Sequence, residues 1–226
     1  MRKINAKPII TFSILFIPTV IFSIYFSVNI LSFIPLGEYK AITNVISSIF
    51  MIYLFNIIVY RIFLWKMPLK EGEYIEDSKE DFIYHVYVLY YLILFNPLTP
   101  SLLVPVPLMR LIYIGLGAKL GENTYSAGAI LDPPLVELGS NTIIGYDSVL
   151  CPHAVEGTRV VFKKIKIGNN VTIGMKSIIM AGVTIEDGGI VAAGSVVTKG
   201  TYIKTGDLWA GTPAKLLKAS EQTSPT

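Results

Sequence analysis

A β-helix of six-residue repeats, preceded by apolar α-helices, is the fold class this sequence predicts. Two observations carry that reading. An apolar residue followed by a small one returns every six positions, as in IGNNVTIGMKSIIMAG at residues 167–182, and two long charge-free runs fill the N-terminal region. A period of six matches neither the 3.6 of a helix nor the 2 of a strand, so the repeating unit is larger than one element. Composition agrees: 52% of the 226 residues are hydrophobic and 15% charged, with a mean hydropathy of +0.58, greasier than an ordinary soluble domain.

The charge-free runs lie between Lys7 and Glu38 and between Lys40 and Arg61. About 20 apolar residues in a helix cross a bilayer core, so both runs predict transmembrane helices, at about 9–36 and 41–62. Arg2, Lys3 and Lys7 precede the first run, Lys40 sits between them, and Arg61, Lys66 and Lys70 follow. The positive-inside rule then places both ends of the hairpin in the cytoplasm. The expected location is therefore the inner (cytoplasmic) membrane, with the rest of the chain in the cytoplasm. After a polar stretch comes FIYHVYVLYYLILF, Phe82 to Phe95, too short to span and followed by proline-broken sequence. Residues 82–109 read as an interfacial or re-entrant segment, with a buried soluble helix pair as the alternative, closing a membrane region at 1–113. His85 there reads as an interfacial or hydrogen-bonded histidine. Net charge is +3 without a basic block, so no nucleic-acid partner is expected. The single Cys151 excludes an internal disulfide and fits a reducing compartment.

From Ile114 the chain divides into IGLGAK, LGENTY, SAGAIL, DPPLVE, LGSNTI, IGYDSV and LCPHAV, and from Ile167 the hexads resume through WAGTPA. Position one is apolar, position two small, and position five often Ser, Thr, Ala or Val. Three hexads make one triangular coil with first-position residues inside and small residues at corners. This predicts a β-helix domain at 114–218 and a tail at 219–226. Ile167 follows Leu150 by seventeen residues, one short of a full coil. The simplest repair treats VFKKIK (161–166) as a degenerate hexad and ejects EGTRV (156–160) as a loop. A loop leaving a solenoid beside His153, the one histidine of the repeat region, is where function is expected.

IGNNVTIG, IMAGVTI, VAAGSVVTKG and AGTPAKLLK resemble the hexapeptide-repeat acyltransferases of the left-handed β-helix class, most of all the galactoside and maltose O-acetyltransferases. The resemblance covers about residues 114–218. It implies a left-handed coil, a homotrimer, acyl-CoA (acetyl-CoA foremost) as donor bound between neighbouring β-helices, and His153 as catalytic base. It places the CoA contacts at Met175, Ala193, Thr198, Lys199, Lys215 and Lys218. The last two stand where the family often has Arg, so they act as point charges. The Asn that helps hold the sugar in the galactoside enzyme has no counterpart here, which leaves the acceptor open. A looser likeness, to the membrane-embedded terminal domains of poly-amino-acid synthetases, keeps amide formation as an alternative. A non-enzymatic scaffold at the membrane is a third class.

Acyl transfer from a thioester needs a base for the acceptor hydroxyl or amine, a role that imidazole suits near neutral pH. It also needs donors for the oxyanion, for which the corner Met180–Gly182 is a candidate. In the hexad register His153 holds the outward fourth position. Asp132 stands at an inward first position, so either DPPL is an irregular turn or Asp132 reaches the site to orient His153 or the acceptor; Asp147 and Glu156 are alternative orienters. Cys151 admits a nucleophile reading, but its second-position place favours a corner role. A membrane anchor points to a membrane-associated saccharide or lipid-linked acceptor and to lipid as a partner. With one histidine in the repeat region, even a trimer supplies just one equivalent ligand per chain at each interface; a three-fold axial site is geometrically conceivable but unlike the carbonic-anhydrase-like metalloenzymes of this fold, so no metal is expected.

Overall fold

The structure is a computed structural model that describes residues 5–34, 37–99, 104–157 and 159–220. The chain divides into a helical unit and a β-helix unit, the latter including residues 69–76 from between the helices. The membrane region expected at 1–113 is thus interrupted, and residues 221–226 of the tail, like 100–103 of the proline-rich stretch, lie outside the described residues.

In the helical unit α1 spans Ala6–Ser32 and α2 spans Lys40–Lys66, within a few residues of the predicted runs. Both are long and apolar enough to cross a membrane, and only 17% and 6% of their most apolar stretches are buried. Ile14, Ile21, Tyr25, Ile46 and Phe50 all face outward. A core helix of a soluble domain would hide such residues. α3, Lys79–Tyr90, starts with a Ser78 side chain accepting from Asp81 N–H and continues as a π-helical turn, Tyr91–Phe95. The segment that reads as interfacial or re-entrant turns its rings inward, within the helical unit. Val86, Tyr87, Tyr90 and Phe95 are fully buried, with Phe12 of α1 edge-on to Tyr90 at 4.9 Å and Tyr60 of α2 against Phe95 at 5.5 Å. The tyrosines that read as headgroup anchors are packing residues whose large rings fill the space between helices. His85 lies buried beside Asp81, 3.4 Å away.

The β-helix unit opens with α4, Val106–Leu116, which Gly117 ends in a left-handed conformation at φ 111°. Ile114 to Leu116 therefore belong to a helix, and the first hexad, IGLGAK, is not a coil side; the coils begin at Lys119. The local run VPLMRLIYIGL is amphipathic at helical spacing, and that signal overrode the hexad match. α4 covers the open end of the solenoid. Its Tyr113 hydroxyl donates to Gly128 O and accepts from Ile130 N–H, and Arg110 donates to Gly121 O. An uncovered edge would offer unpaired strand groups to other chains.

Parallel strands stack into three faces, as the hexad reading expects of a β-helix. Face A carries Lys119–Leu120, Val136–Leu138, Ile165–Ile167, Thr184–Ile185 and Tyr202–Ile203; face B runs from Tyr125–Ser126 to Leu208–Gly211; face C holds Ala129–Ile130, Val149–Cys151, Ile178–Met180 and Val196–Val197. Lys166 pairs with Thr184, Thr172 with Ile190 and Ile178 with Val196, an advance of three hexads per coil. First-position Ile144, Ile173, Ile179, Ile185, Val191 and Ile203 are buried to 1% exposure or less and form one core. Fifth-position hydroxyls are buried too and donate to carbonyls of the next coil, Thr142 to Gly168 O and Ser177 to Ala192 O. This satisfies polar groups that burial would otherwise penalise.

The small second position has a measurable cause. A Cβ at Gly174 would lie 2.3 Å from the Ala193 backbone nitrogen, which cannot move without opening the coil. Gly174→Val should therefore destabilise the β-helix by about 3 kcal/mol or more, the scale of overpacking against rigid backbone. Thermal unfolding compared with wild type checks this. The fourth position is the left-handed corner, held by Asn170 (φ 54°), Lys176 (φ 57°) and, among the orienters considered, Asp147 (φ 59°).

Between Leu150 and Ile167 the pairing differs from the sequence expectation. Ile167 stacks on Leu138, so Leu150 to Ile167 is one coil side plus an eleven-residue excursion, rather than a nearly complete coil. Val161 and Phe162 are not a degenerate coil side. They belong to the returning strand of an antiparallel hairpin, His153–Glu156 with Arg159–Phe162. A third strand, Gly72–Tyr74, pairs with the returning strand.

Candidate active site

His153 is the first residue of the outgoing hairpin strand, where the chain leaves face C after Val149–Cys151. It is not a left-handed corner residue, because the hairpin begins at the position that a regular coil would use for its turn. Its register partner across the hairpin is Phe162, and the two rings are 5.9 Å apart.

Asp132 reaches this ring. The chain shortens by two residues between faces B and C of the first coil and regains them at DPPL, where Pro133–Leu135 form a 3₁₀ turn and Asp132 takes φ 46°. The turn is irregular, and it brings the Asp132 carboxylate to the His153 ring. Asp132 is 4% exposed, and its Oδ2 accepts a hydrogen bond from His153 Nδ1–H. A carboxylate at Nδ1 fixes the tautomer with the Nε2 lone pair free to take a proton, and it stabilises the imidazolium that results. The Asp132 carboxylate, and after it the Cys151 sulfur, push His153 up to about 10, against a smaller lowering by burial. The Cys151 thiol donates to His153 O at 3.2 Å.

Asp147 lies away from this pair, at the face B to face C corner, where it lines a cleft of about 240 Å³ with Met109, Ser126 and Tyr146. No described hydrogen bond joins it to His153. Glu156, further along the hairpin strand, is ion-paired with Lys199.

The residues expected to meet CoA fall into three places. Met175 and Ala193 stack at neighbouring corners between faces B and C, where Gly194 N–H donates to Met175 O. Thr198 and Lys199 are exposed at the next corner, between faces C and A, and through Glu156 that corner touches the His153 hairpin. The two corner columns bound face C on either side. Lys215 and Lys218 sit apart, on Ala214–Lys218, which folds back antiparallel on Leu208–Gly211 at face B. The oxyanion candidate, Met180–Gly182, is the coil neighbour of the site, with Met180 paired to Cys151 and Gly182 turning at φ 78°.

Sequence reasoning missed the strand Gly72–Tyr74 and the ring contact of Tyr74 on Phe162 at 4.8 Å. Three residues without a pattern, some ninety positions from their partners, give no local signal.

Residues 164–199 match the family profile described as bacterial transferase hexapeptide (six repeats). Over 111 residues the chain is 32% identical to YvoF, a candidate acetyltransferase of Bacillus subtilis, covering 47% of this chain and 63% of that protein. It is 30% identical over 112 residues to the mitochondrial gamma carbonic anhydrase 1 of Arabidopsis thaliana, covering 47% and 41%. A galactoside acetyltransferase structure in complex with coenzyme A is 33% identical, with a TM-score of 0.42, covering 46% of this chain and 56% of that one. The chain thus spans less than two thirds of each of these relatives.

Proposed function

Since the chain carries the bacterial transferase hexapeptide repeat, we propose that it is an acyl-CoA-dependent acyltransferase, with acetyl-CoA as donor and a hydroxyl or amine of a membrane-associated saccharide or lipid-linked molecule as acceptor. The observation that carries this reading is the Asp132–His153 pair at the edge of face C, a base already oriented for proton abstraction. Neutral His153 takes the acceptor proton at Nε2 as the acceptor attacks the thioester carbonyl. Collapse of the tetrahedral adduct expels CoA thiolate, which takes the proton back from the imidazolium. Backbone N–H groups at the Met180–Gly182 corner are the proposed oxyanion donors. Met175, Ala193, Thr198 and Lys199 are the proposed donor contacts, and Lys215 and Lys218 serve the phosphates from a neighbouring chain of a homotrimer.

The carbonic anhydrase likeness does not favour a metal reading: the chain has two histidines, and only His153 belongs to the repeat. Such enzymes need several imidazole ligands at one ion.

Membrane attachment rests on α1 and α2, whose apolar side chains point outward along their length. In this reading both helices span the cytoplasmic membrane, with lipid covering them and both chain ends in the cytoplasm. The protein should therefore stay in the pellet when membranes are washed with alkaline carbonate and be released by detergent. Release by carbonate alone would remove the anchor, and with it the reason for a membrane acceptor. The transferase reading is tested by titrating the detergent-solubilised protein with acetyl-CoA. Saturable binding that weakens in Lys199→Ala supports it, and no binding at millimolar acetyl-CoA would overturn it.

A further inference from the structure

The hairpin that bears His153 leaves the solenoid and is two strands wide, and such a hairpin is marginal alone. What completes it is the strand Gly72–Tyr74, from the segment between α2 and α3, in register with Phe162, Val161 and Val160. The strand is tied down at several points. Glu71 Oε1 accepts from Lys164 N–H at 2.8 Å, Glu73 pairs with Arg159 at 3.2 Å, and the Tyr74 hydroxyl both accepts from Lys70 N–H and donates to Lys70 O.

The side-chain geometry gives this strand a role beyond edge protection. His153 and Phe162 are directly opposed, so both side chains leave the same face of the small sheet. Tyr74, opposite Val160, lies on that face one diagonal step from Phe162; the Tyr74 and Phe162 rings are 4.8 Å apart, and the Phe162 ring is 5.9 Å from the imidazole. Tyr74 is 2% exposed and Phe162 fully buried. The imidazole is thus held at Nδ1 by Asp132 and flanked by a ring that Tyr74 keeps in place. Without Tyr74, Phe162 gains room to turn and His153 gains room to swing away from Asp132.

We propose that Tyr74 is a positioning residue for His153, acting through Phe162, so that the segment between α2 and α3 sets the alignment of the base. The inference rests on the transferase reading for its kinetic consequence, but not for its structural one. Misplacing a catalytic group by about 1 Å costs up to about 10²-fold in rate. Accordingly Tyr74→Leu, which keeps apolar volume but removes the ring, should lower kcat by about 10-fold or more while the KM for acetyl-CoA stays within about twofold. Tyr74→Phe keeps the ring and should restore most of the rate.

The accompanying measurement is the titration of His153 by NMR on the full-length protein in detergent, with ring-labelled histidine; because the chain has only two histidines, His85→Gln assigns the signals. Tyr74→Leu and Phe162→Leu should each move the His153 midpoint down toward that of an ordinary imidazole, since both loosen the bond to Asp132, and Tyr74→Phe should not. An unchanged His153 titration in Tyr74→Leu overturns the proposal, whether kcat is retained or falls, because a fall would then report only structural damage. Should the wild type transfer no acyl group, the transferase reading fails, yet the titration still decides whether Tyr74 positions His153.

Discussion

His153→Ala is expected to reduce acyl transfer by about 10² to 10⁴, the usual range for losing a general base, while acetyl-CoA binding stays near wild type. The ring stands at the start of a hairpin outside the coil core, and its side chain is 31% exposed, so removing it leaves the first-position stack that holds the solenoid together intact. The loss should appear in kcat. Lys199→Ala should behave oppositely, raising the donor KM with a smaller change in kcat, because a cation near the donor phosphates positions the donor without taking the proton. Lys199 also pairs with Glu156, so a modest kcat effect through the hairpin is expected as well. Steady-state kinetics with the acceptor-bearing membrane fraction separates the two classes.

Asp132→Asn should cost about 10²-fold or more in kcat and move the pH profile, the second-largest effect expected of a point substitution. The carboxamide keeps the shape but loses the charge that stabilises the imidazolium, and it can donate to Nδ1 and put the ring proton on the wrong nitrogen. His153 acts when neutral. Because Asp132 raises its pKa, the wild-type rate should climb with pH through the alkaline range rather than near 6.5. In Asp132→Asn the climb should start at lower pH and level off at a lower plateau. The linkage to stability has the opposite slope. A pKa raised on folding contributes stability that is fully present below the unfolded value of about 6.5, and that contribution is lost as pH rises through the raised value. The wild type should therefore lose part of this contribution at alkaline pH, and the variant should not. A rate profile that rises through about 6.5 in both proteins would show that Asp132 does not tune the base.

Much of the β-helix was readable because its determinants are local and repeated. Position one fills the interior and position two meets the next backbone, so Ile173 and Gly174 announce their places without reference to anything distant. Where two local codes compete, the hexad reading overreached: Ile114–Leu116 satisfy a hexad by letter but finish α4. The hairpin was misjudged because an eleven-residue excursion plus one coil side comes to seventeen residues, close enough to a coil to suggest a shorter loop. His153 is legible as the one histidine of the repeat region and Asp132 as a candidate partner, whereas the hairpin that carries the ring is not. Asp132 stood out because an acid at an inward position breaks the pattern, whereas Asp147 fits the pattern as a corner and lies elsewhere. Tyr74 and Phe162 carry no sequence signal, since their meeting depends on non-local strand pairing. In the helical unit, hydropathy marked α1 and α2, but a Tyr-rich α3 looks the same whether its rings meet headgroups or one another.

The fate of the acyl group tests the central claim most directly. Membranes containing the wild-type protein, membranes containing His153→Ala, and membranes lacking the protein are incubated with acetyl-labelled acetyl-CoA, and the label is followed into saccharide and lipid fractions. The account predicts a labelled product, stoichiometric with free CoA released, in the first sample and nearly none in the other two. Label that remains on CoA in all three, or a product formed equally by His153→Ala, would contradict it.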